Sequence, residues 1–380
     1  MTRGKDELTR LGKCLSFGNG KTPMLDDAGP YPVYGSNGVI GHSIAFNQES
    51  SIILGRVGAY CGSVNYEAGK YWSTDNTIVV NATKENDTLF FQYLLRSYPL
   101  NSLAGGSAQP LINHKTISRI QAWVPPLATQ RKIAAILTAY DDLIEINKRR
   151  IDVLEKMAEE IYREWFVRMR FPGYQNTKIT KGVPEGWERK KFGEFCMLKR
   201  GYDLPNDLLE EGPYPVVAST SVKAFHKHYK VEPPVITTGR SGSLGDVLMT
   251  HTRAWPLNTA LYVRNFFGNS PFLVFYTLKN MGLEKFDSGA GVPTLNRNHV
   301  SGIPMVVPER SLQQRFDGIV APIHQQVETL RQENTNLTKT RDLLLPRLIS
   351  GKLSVADLDI QFPPSMREDG KGQGGGDAPS

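Results

Sequence analysis

The segment Gly29-Pro30-Tyr31-Pro32-Val33 occurs a second time as Gly212-Pro213-Tyr214-Pro215-Val216, and this repetition decides the architecture of the chain. Four further matches follow in the same order, each separated by 182 to 184 residues: Gly55-Arg56-x-Gly58 with Gly239-Arg240-x-Gly242, Trp72 and Asn76-Thr77 with Trp255 and Asn258-Thr259, Pro110-x-x-Asn113 with Pro293-x-x-Asn296, and Pro125 and Gln130-Arg131 with Pro308 and Gln314-Arg315. Solenoid repeats have periods of roughly 20–50 residues. The longer spacing therefore indicates a duplicated domain.

Each copy begins with a stretch rich in glycine, proline and aromatic residues. Short runs of β-branched and other apolar residues, bounded by turn residues, predict strands within it. These runs are Ser51–Leu54, Thr77–Val80, Ile120–Val124, Val235–Thr238, Ala260–Val263 and Ile303–Val307.

Each copy ends in one long helix with a heptad pattern. The first is predicted from about Gln130 to Phe166, and in the second Pro322 indicates that the regular part begins there. The first seam comprises Ile133, Leu137, Tyr140, Ile144, Asn147, Ile151, Leu154, Ala158, Ile161 and Trp165. The second comprises Val320, Ile323, Val327, Leu330, Asn334, Leu337, Arg341, Leu344 and Leu348. Because one seam needs a partner and connectivity reverses the second helix, the pattern predicts an antiparallel coiled coil.

We therefore predict an α+β protein. Two similar domains of mixed β structure with short helices are separated by two long helices, and a pseudo-two-fold axis relates the halves. The predicted boundaries are 1–128 for the first domain, 129–170 for the central helix, 171–311 for a linker and the second domain, 312–353 for the C-terminal helix, and 354–380 for a tail that is disordered at its end.

Composition narrows the class of protein. Of 380 residues, 40% are hydrophobic, which suffices for a sizeable core, and no apolar run reaches the ~20 residues of a membrane span. We therefore expect a cytoplasmic protein without a membrane partner. Three widely spaced cysteines, Cys14, Cys61 and Cys196, argue against a zinc ribbon or disulfide framework. The net charge of +7 permits a nucleic-acid partner without establishing one.

No catalytic motif stands out. The sequence lacks a P-loop, a dinucleotide-binding glycine motif, an amino-methyltransferase motif and a nucleophile elbow. Glu188-Arg189-Lys190 matches half of a nuclease pattern but has no acidic partner before it. His226 and His228 could hold a metal, but further ligands at diagnostic spacing are missing, so a solvated basic loop is the favoured interpretation. We predict no catalytic residue and no metal site.

Polar, glycine-rich loops in matched places are the candidate binding residues. Glycine lets a backbone approach a ligand closely, while Arg, Lys, Asn, Gln, Ser and Tyr supply hydrogen bonds to phosphates and base edges. In the first domain the candidates are Lys21, Ser36, Asn37, Arg56, Tyr60, Gln109 and Asn113. In the second they are Ser219, Thr220, Ser221, Lys223, Arg240, Ser243 and Asn296. Alternatively, Gly-Arg-x-Gly is a structural turn. The loops differ between copies, with Ser36-Asn37 set against Thr220-Ser221 and Tyr60 against Leu244.

The order of these motifs resembles the specificity subunit of type I restriction–modification systems, from about Leu11 to Leu353. The segments that carry the resemblance are Tyr31–Gly38, Gly55–Gly58, Gln109–Asn113, Pro125–Ile133, Pro184–Trp187 and Leu345–Leu353. The chain departs from the family in the residues after Pro126 and after Pro308, and its first domain lacks the Pro-x-Gly-Trp entry.

The resemblance implies a non-catalytic DNA-recognition subunit with two target-recognition domains. Each would read one half of a bipartite, asymmetric site in double-stranded DNA. The helices would act as a ruler and as the docking surface for two methyltransferase subunits, which restriction subunits would join. It implies that S-adenosylmethionine, ATP and Mg are used by those partners, and that this chain binds no cofactor. Two alternatives stay open at this point: a two-headed adaptor for proteins or glycans, and an enzyme with an unrecognised site.

Overall fold

The computed structural model describes residues 8–105, 110–289, 291 and 293–367. The chain divides into two compact units. The first contains residues up to Lys148 together with those from Arg331, and the second runs from Arg149 to Leu330. Gln109 lies outside the described residues.

The first unit is built on a six-stranded sheet. Its strands are β2 (Leu15–Asn19), β3 (Tyr31–Gly35), β4 (Gly38–Ser43), β5 (Gln48–Gly55), β6 (Val64–Ser73) and β7 (Thr77–Ala82), in the order β2-β7-β5-β6-β3-β4. All neighbours are antiparallel except β3 and β6. The apolar run Ile52–Leu54 of β5 is fully buried, as expected of a central strand. The predicted strands Ser51–Leu54 and Thr77–Val80 are thus confirmed.

Short helices complete the first unit. Helix α1 (Thr88–Arg96) packs against the sheet, while β1 (Leu8–Arg10) pairs with β8 (Gln121–Trp123) after helix α2 (His114–Ser118). The core joins Leu11, Ile52, Phe90, Phe91 and Leu95 to residues of the long helices. Each element contributes one apolar face to this core, and Tyr34, Ile53 and Tyr71 form a second, smaller buried cluster.

The second unit repeats this plan with its sheet divided. One sheet has the order β12-β18-β15-β16 and the other β14-β13-β17. Their bounds are β12 (Met197–Arg200), β13 (Tyr214–Val217), β14 (Val222–His226), β15 (Val235–Gly239), β16 (Val247–Thr250), β17 (Trp255–Pro256) and β18 (Ala260–Asn265). Strands β16 and β17 replace the continuous β6 of the first unit, because residues 251–254 between them are not in a strand.

Around these sheets lie the remaining elements of the second unit. They are β9 (Ile179–Thr180), β10 (Val183–Pro184), β11 (Glu188–Lys191), α4 (Phe192–Phe195), α5 (Pro271–Asn280), α6 (Arg297–Ser301) and β19 (Pro304–Val307), which pairs with β11. The core is rich in aromatic side chains, among them Phe192, Phe195, Tyr276 and Phe316. The predicted strands Val235–Thr238 and Ala260–Val263 are confirmed.

Two long helices follow the two sheets. Helix α3 spans Leu127–Tyr162 and continues as a π-helical turn to Val167, and helix α7 spans Arg310–Ile349. The expectation that the regular part of the second helix begins at Pro322 is wrong, because the helix already begins at Arg310. Proline removes one backbone donor and crowds the carbonyl four residues earlier. The helix continues through this position because Phe316 and Val320, six and two residues before Pro322, are fully buried in the core.

The heptad seams are the buried faces of both helices. Within the first unit, Asn334 of α7 donates from Nδ2 to the carbonyl of Ile144 in α3 at 3.3 Å, and Arg341 pairs with Asp141. Higher residue numbers on α7 thus meet lower numbers on α3, so these segments run antiparallel. Within the second unit, Tyr162 and Trp165 pack on Phe316. No helix in the described part of the chain is long and apolar enough to cross a membrane.

Candidate nucleic-acid interface

In the first unit the hairpin between β3 and β4 is tied to its neighbours by Ser36. The Ser36 hydroxyl donates to the carbonyl of Asn76 at 2.8 Å and accepts from the Val57 N–H at 3.3 Å. The Ser36 carbonyl accepts from the Ser63 hydroxyl at 2.5 Å. This predicted contact residue therefore holds three loops together, and its neighbour Asn37 is left exposed at the tip.

The turn that carries Arg56 closes around glycine. A Cβ on Gly55 would lie 2.4 Å from the Tyr60 carbonyl and 2.6 Å from the Ser36 carbonyl, so no other residue fits there. Gly58 has a φ of 75°, in the left-handed region that favours glycine. The turn leaves the Tyr60 side chain 61% exposed beside the hairpin tip.

A third loop joins the same edge through its backbone. The N–H of Ile112 donates to the Arg56 carbonyl at 3.0 Å, and the N–H of Gly58 donates to the Pro110 carbonyl at 3.1 Å. Asn113 then caps helix α2, because its Oδ1 accepts from the Thr116 N–H at 2.9 Å. The Asn113 side chain, which is predicted to bind DNA, thus also serves as a helix cap.

Lys21, in the segment between β2 and β3, is bonded to the loop that follows β6. Its carbonyl accepts from the Asp75 N–H at 3.1 Å and its N–H donates to the Ser73 carbonyl, while its side chain is exposed. The structure therefore brings together, in loops at one end of the sheet, the candidates Lys21, Ser36, Asn37, Arg56, Tyr60 and Asn113. This cluster is a polar and basic surface, the chemistry that suits DNA phosphates and base edges.

The second unit has the same backbone frame. The Ser219 hydroxyl donates to the carbonyls of Thr259 and Ser241 at 2.8 and 2.9 Å. The N–H of Leu295 donates to the Arg240 carbonyl at 2.8 Å, and the N–H of Gly242 donates to the Pro293 carbonyl at 3.0 Å. Ser219 is therefore the equivalent of Ser36, and Leu295 that of Ile112.

This correspondence corrects two alignments made from sequence. Ser36-Asn37 corresponds to Ser219-Thr220, not to Thr220-Ser221, because the two serine hydroxyls donate to the equivalent carbonyls of Asn76 and Thr259. Likewise Asn76 corresponds to Thr259, since their carbonyls accept from the N–H groups of Arg56 and Arg240, both at 2.9 Å. The serine that both units share supports the loops. The exposed residues after it differ between the units.

The exposed candidates of the second unit lie around this frame. Thr220, Ser221, Lys223 and Ser243 are exposed, and Asn296 caps α6 through a 3.0 Å bond from the Asn298 N–H. The Arg240 Nη1 donates to the Asn258 carbonyl at 3.1 Å. A cavity beside Arg240 contains two further arginines that the sequence analysis missed; its lining is Arg200, Arg240, Leu261, Ser288, Thr294, Leu295, Asn296 and Arg297. Three guanidinium groups around one cavity favour an anionic partner.

The position of Lys21 is occupied by Tyr202 in the second unit. Tyr202 donates its N–H to the Pro256 carbonyl at 2.8 Å, as Lys21 does to Ser73. The Tyr202 ring stacks on Tyr262 at 5.9 Å, and the ammonium groups of Lys199 and Lys230 lie 5.5 and 5.9 Å from its centre. The alignment of Asn19-Gly20-Lys21 with Arg200-Gly201-Tyr202 was the signal that could have identified this position.

His114 lies next to Arg56, and its surroundings shift the pKa of its imidazole. Burial, followed by the nearby positive charge of Arg56, holds the pKa of the His114 imidazole below its ordinary value. The ring stacks on Phe17 at 5.6 Å. Both causes favour the neutral form of the His114 imidazole.

Of the two histidines considered as metal ligands, His226 is buried and His228 is exposed. His226 is 3% exposed, and its Nδ1 lies 2.9 Å from the Glu210 carbonyl and 3.1 Å from the Glu210 nitrogen. The prediction of a solvated loop is therefore wrong for His226, because its ring packs on Trp255. Among residues 8–105, 110–289, 291 and 293–367, no group of three or more His, Cys, Asp or Glu side chains could hold a metal ion.

Comparison with known proteins agrees with this arrangement. Residues 7–156 match the sequence model of a family described as the type I restriction modification DNA specificity domain. The specificity subunit of the type I restriction enzyme MjaIX from Methanocaldococcus jannaschii is 25% identical over 68% of this chain and 66% of its own length. A putative type I specificity subunit from Mycoplasma pneumoniae is 24% identical over 80% of this chain and 84% of its own.

The fold has a solved counterpart. The crystal structure of the type I restriction–modification system S subunit from M. genitalium superposes with a TM-score of 0.62 at 18% identity, covering 92% of this chain and 98% of that one. The family match indicates a DNA specificity domain in residues 7–156. Over most of its length this chain is similar to type I restriction–modification specificity subunits. It spans slightly less than two thirds of the length of the MjaIX subunit.

Proposed function

We propose that this chain is the non-catalytic subunit that gives a type I restriction–modification enzyme its DNA sequence specificity. It reads a bipartite, asymmetric site in double-stranded DNA and directs methyltransferase and restriction subunits to that site. S-adenosylmethionine, ATP and Mg are used by those partners. The family match and the two polar sheet edges support this proposal.

One observation carries it. The two units present the same hydrogen-bonded frame, anchored by Ser36 and Ser219, but different exposed side chains on that frame. Lys21 and Asn37 in the first unit correspond to Tyr202 and Thr220 in the second. Because base edges are distinguished by donor and acceptor patterns, two different side-chain sets on one frame would read two different half-sites.

Domain exchange tests the proposal. The full chain is produced with its methyltransferase partners, and methylated adenines are mapped across a genome. Replacing residues 1–128 with the first domain of another specificity subunit is expected to change one half of the methylated site and to leave the other half as it was. A change in both halves, or in neither, contradicts the two-reader proposal.

Salt dependence separates this function from that of an adaptor for proteins or glycans. Binding to DNA releases counterions, so the affinity of the full chain with its partners should fall steeply as salt rises. Binding that does not depend on salt, together with the absence of any methylated motif, would favour the adaptor.

A further inference from the structure

A β-bulge occurs at the same place in the edge hairpin of each unit. In the first unit, Val33 pairs with Gly41 and Tyr34 pairs with Val39, which leaves Ile40 as the extra residue of β4. In the second, Val216 pairs with Ala224 and Val217 pairs with Val222, which leaves Lys223 as the extra residue of β14. A bulge redirects the side chain of its extra residue.

Both bulged side chains are held at equivalent places. The hairpin tip of each unit is fixed by its serine, Ser36 or Ser219, to the backbone of the same two neighbouring loops. The extra residue follows that serine by four positions in both units. Ile40 and Lys223 therefore occupy matching positions on a shared frame, one as an aliphatic side chain and the other as a cation.

In the first unit the bulged side chain lies beside the polar edge. A Cβ built on Gly35 would be 3.0 Å from Ile40 Cγ2 and 3.6 Å from Asn37 Oδ1, so these two side chains flank Gly35. Ile40 is nevertheless 44% exposed. Part of this branched aliphatic side chain is therefore open to a partner beside the polar loops.

In the second unit the matching side chain is a cation. Lys223 is exposed, and its ammonium makes no hydrogen bond or ion pair with any residue that the structure describes. The neighbour that corresponds to Gly35 is Ala218, which is buried. The long side chain is therefore free to extend from the bulge.

We propose that the bulged residue of each hairpin is a specificity-determining residue. Ile40 contacts the C5 methyl group of a thymine in one half-site, and Lys223 donates to the O6 and N7 atoms of a guanine in the other. These are the major-groove partners that suit an apolar group and an ammonium respectively. The inference rests on the proposed function and deepens it.

The first test exchanges the two chemistries. Variants Ile40→Lys and Lys223→Ile are produced as full chains with their methyltransferase partners, and the methylated motifs are mapped. Each variant is expected to change the preferred base at one position of one half-site only. Unchanged motifs in both variants, at wild-type melting temperature, overturn the inference. A wild-type chain that yields no motif overturns the proposed function as well, so the two failures are distinguishable.

Matched controls lie four residues further along the chain, directly after each hairpin. Ile44 is 63% exposed, and its equivalent Lys227 is exposed and pairs with Glu210 at 3.4 Å. Ile44→Lys and Lys227→Ile make the same chemical exchanges away from the bulge. Both should keep the wild-type motif. Altered motifs in these controls would show that any charge change on the hairpin acts, which overturns the special role of the bulge.

The second test alters single contact groups on the DNA bases. Once the motif is known, deoxyuridine replaces each thymine in turn, and 7-deazaguanine replaces each guanine. At one thymine, deoxyuridine should lower the affinity of the wild-type protein about fourfold, which is the value of one buried methyl group. The same replacement should not lower the affinity of Ile40→Ala. At one guanine, 7-deazaguanine should lower the affinity of the wild-type protein by about 5- to 150-fold, and it should not lower the affinity of Lys223→Ile.

A phosphate contact is the competing role for Lys223, and it has its own signature. Lys223→Ile would then weaken binding equally on all DNA sequences and would lower the salt slope by about one. That result overturns the assignment to guanine. Sensitivity to 7-deazaguanine that is present in the wild type and absent in Lys223→Ile supports it.

Discussion

The side chains of Gln130 and Gln313 make the same two hydrogen bonds at the start of the two long helices. Gln130 Nε2 donates to the Pro125 carbonyl at 2.8 Å, and its Oε1 accepts from the Asp87 N–H at 2.8 Å. Gln313 bonds in the same way to Pro308 at 2.8 Å and to Ser270 at 2.9 Å. Asp87 and Ser270 cap helices α1 and α5, so each glutamine fastens a long helix to the domain before it.

Removing either glutamine should destabilise its own unit. Gln313 is 2% exposed, and Gln313→Ala leaves a buried carbonyl and a buried N–H without partners. We expect a loss of about 2–4 kcal/mol in the free energy of unfolding, measured by urea denaturation. The matched control is Gln314→Ala at the adjacent exposed residue, which should cost less than about 0.5 kcal/mol. Equal effects of the two substitutions would contradict the structural pairing of Gln313 with Gln130.

The ion pair between Asp141 and Arg341 should fix the register of the two helices within the first unit. The Asp141 carboxylate also accepts from Tyr93 Oη at 2.7 Å, and the Arg341 side chain is 14% exposed. Arg341→Ala should cost about 1–3 kcal/mol, because the carboxylate remains half-buried without its main partner. Lys156→Ala breaks an exposed pair with Asp152 and should cost at most about 0.5 kcal/mol in the same denaturation experiment.

The pKa of His114 should report on Arg56. Folding lowers this pKa from the ordinary value of 6.5, so its stabilising contribution is present above pH 6.5 and is lost as the pH falls towards the lowered value. Arg56→Gln removes the smaller of the two causes. We expect the pKa of His114 to rise, by NMR titration, but to stay below 6.5 because burial remains. An unchanged pKa would place the guanidinium too far away to act.

Arg240 should contribute to DNA affinity in the second unit. Its guanidinium lines a cavity with Arg200 and Arg297, and Arg240→Ala should weaken binding of the full chain with its partners by about 1–3 kcal/mol if it contacts a base. Arg253→Ala is the matched control, because that guanidinium is already paired with Glu232 at 2.9 Å. Affinity that is unchanged in Arg240→Ala, with the fold intact, would assign Arg240 to the structure of the turn, where it donates to the Asn258 carbonyl.

The amino-acid sequence by itself determined the duplication, the central strands and the heptad seams. These features depend on residue type at fixed spacing: Ile52 and Ile53 in a buried strand, Asn147 and Asn334 within seams of apolar residues. Burial of such positions follows from their periodicity, because each period places one set of side chains on one face.

Only the tertiary structure decided which residues correspond and which are free to bind. Gln130 matches Gln313 because long-range hydrogen bonds set the register where the identity of Gln130-Arg131 with Gln314-Arg315 favours a neighbour one residue away. The start of α7 at Arg310 depends on packing by Phe316, which outweighs the local effect of Pro322. The bulges at Ile40 and Lys223 arise from strand pairing, a contact between distant segments that local patterns do not encode.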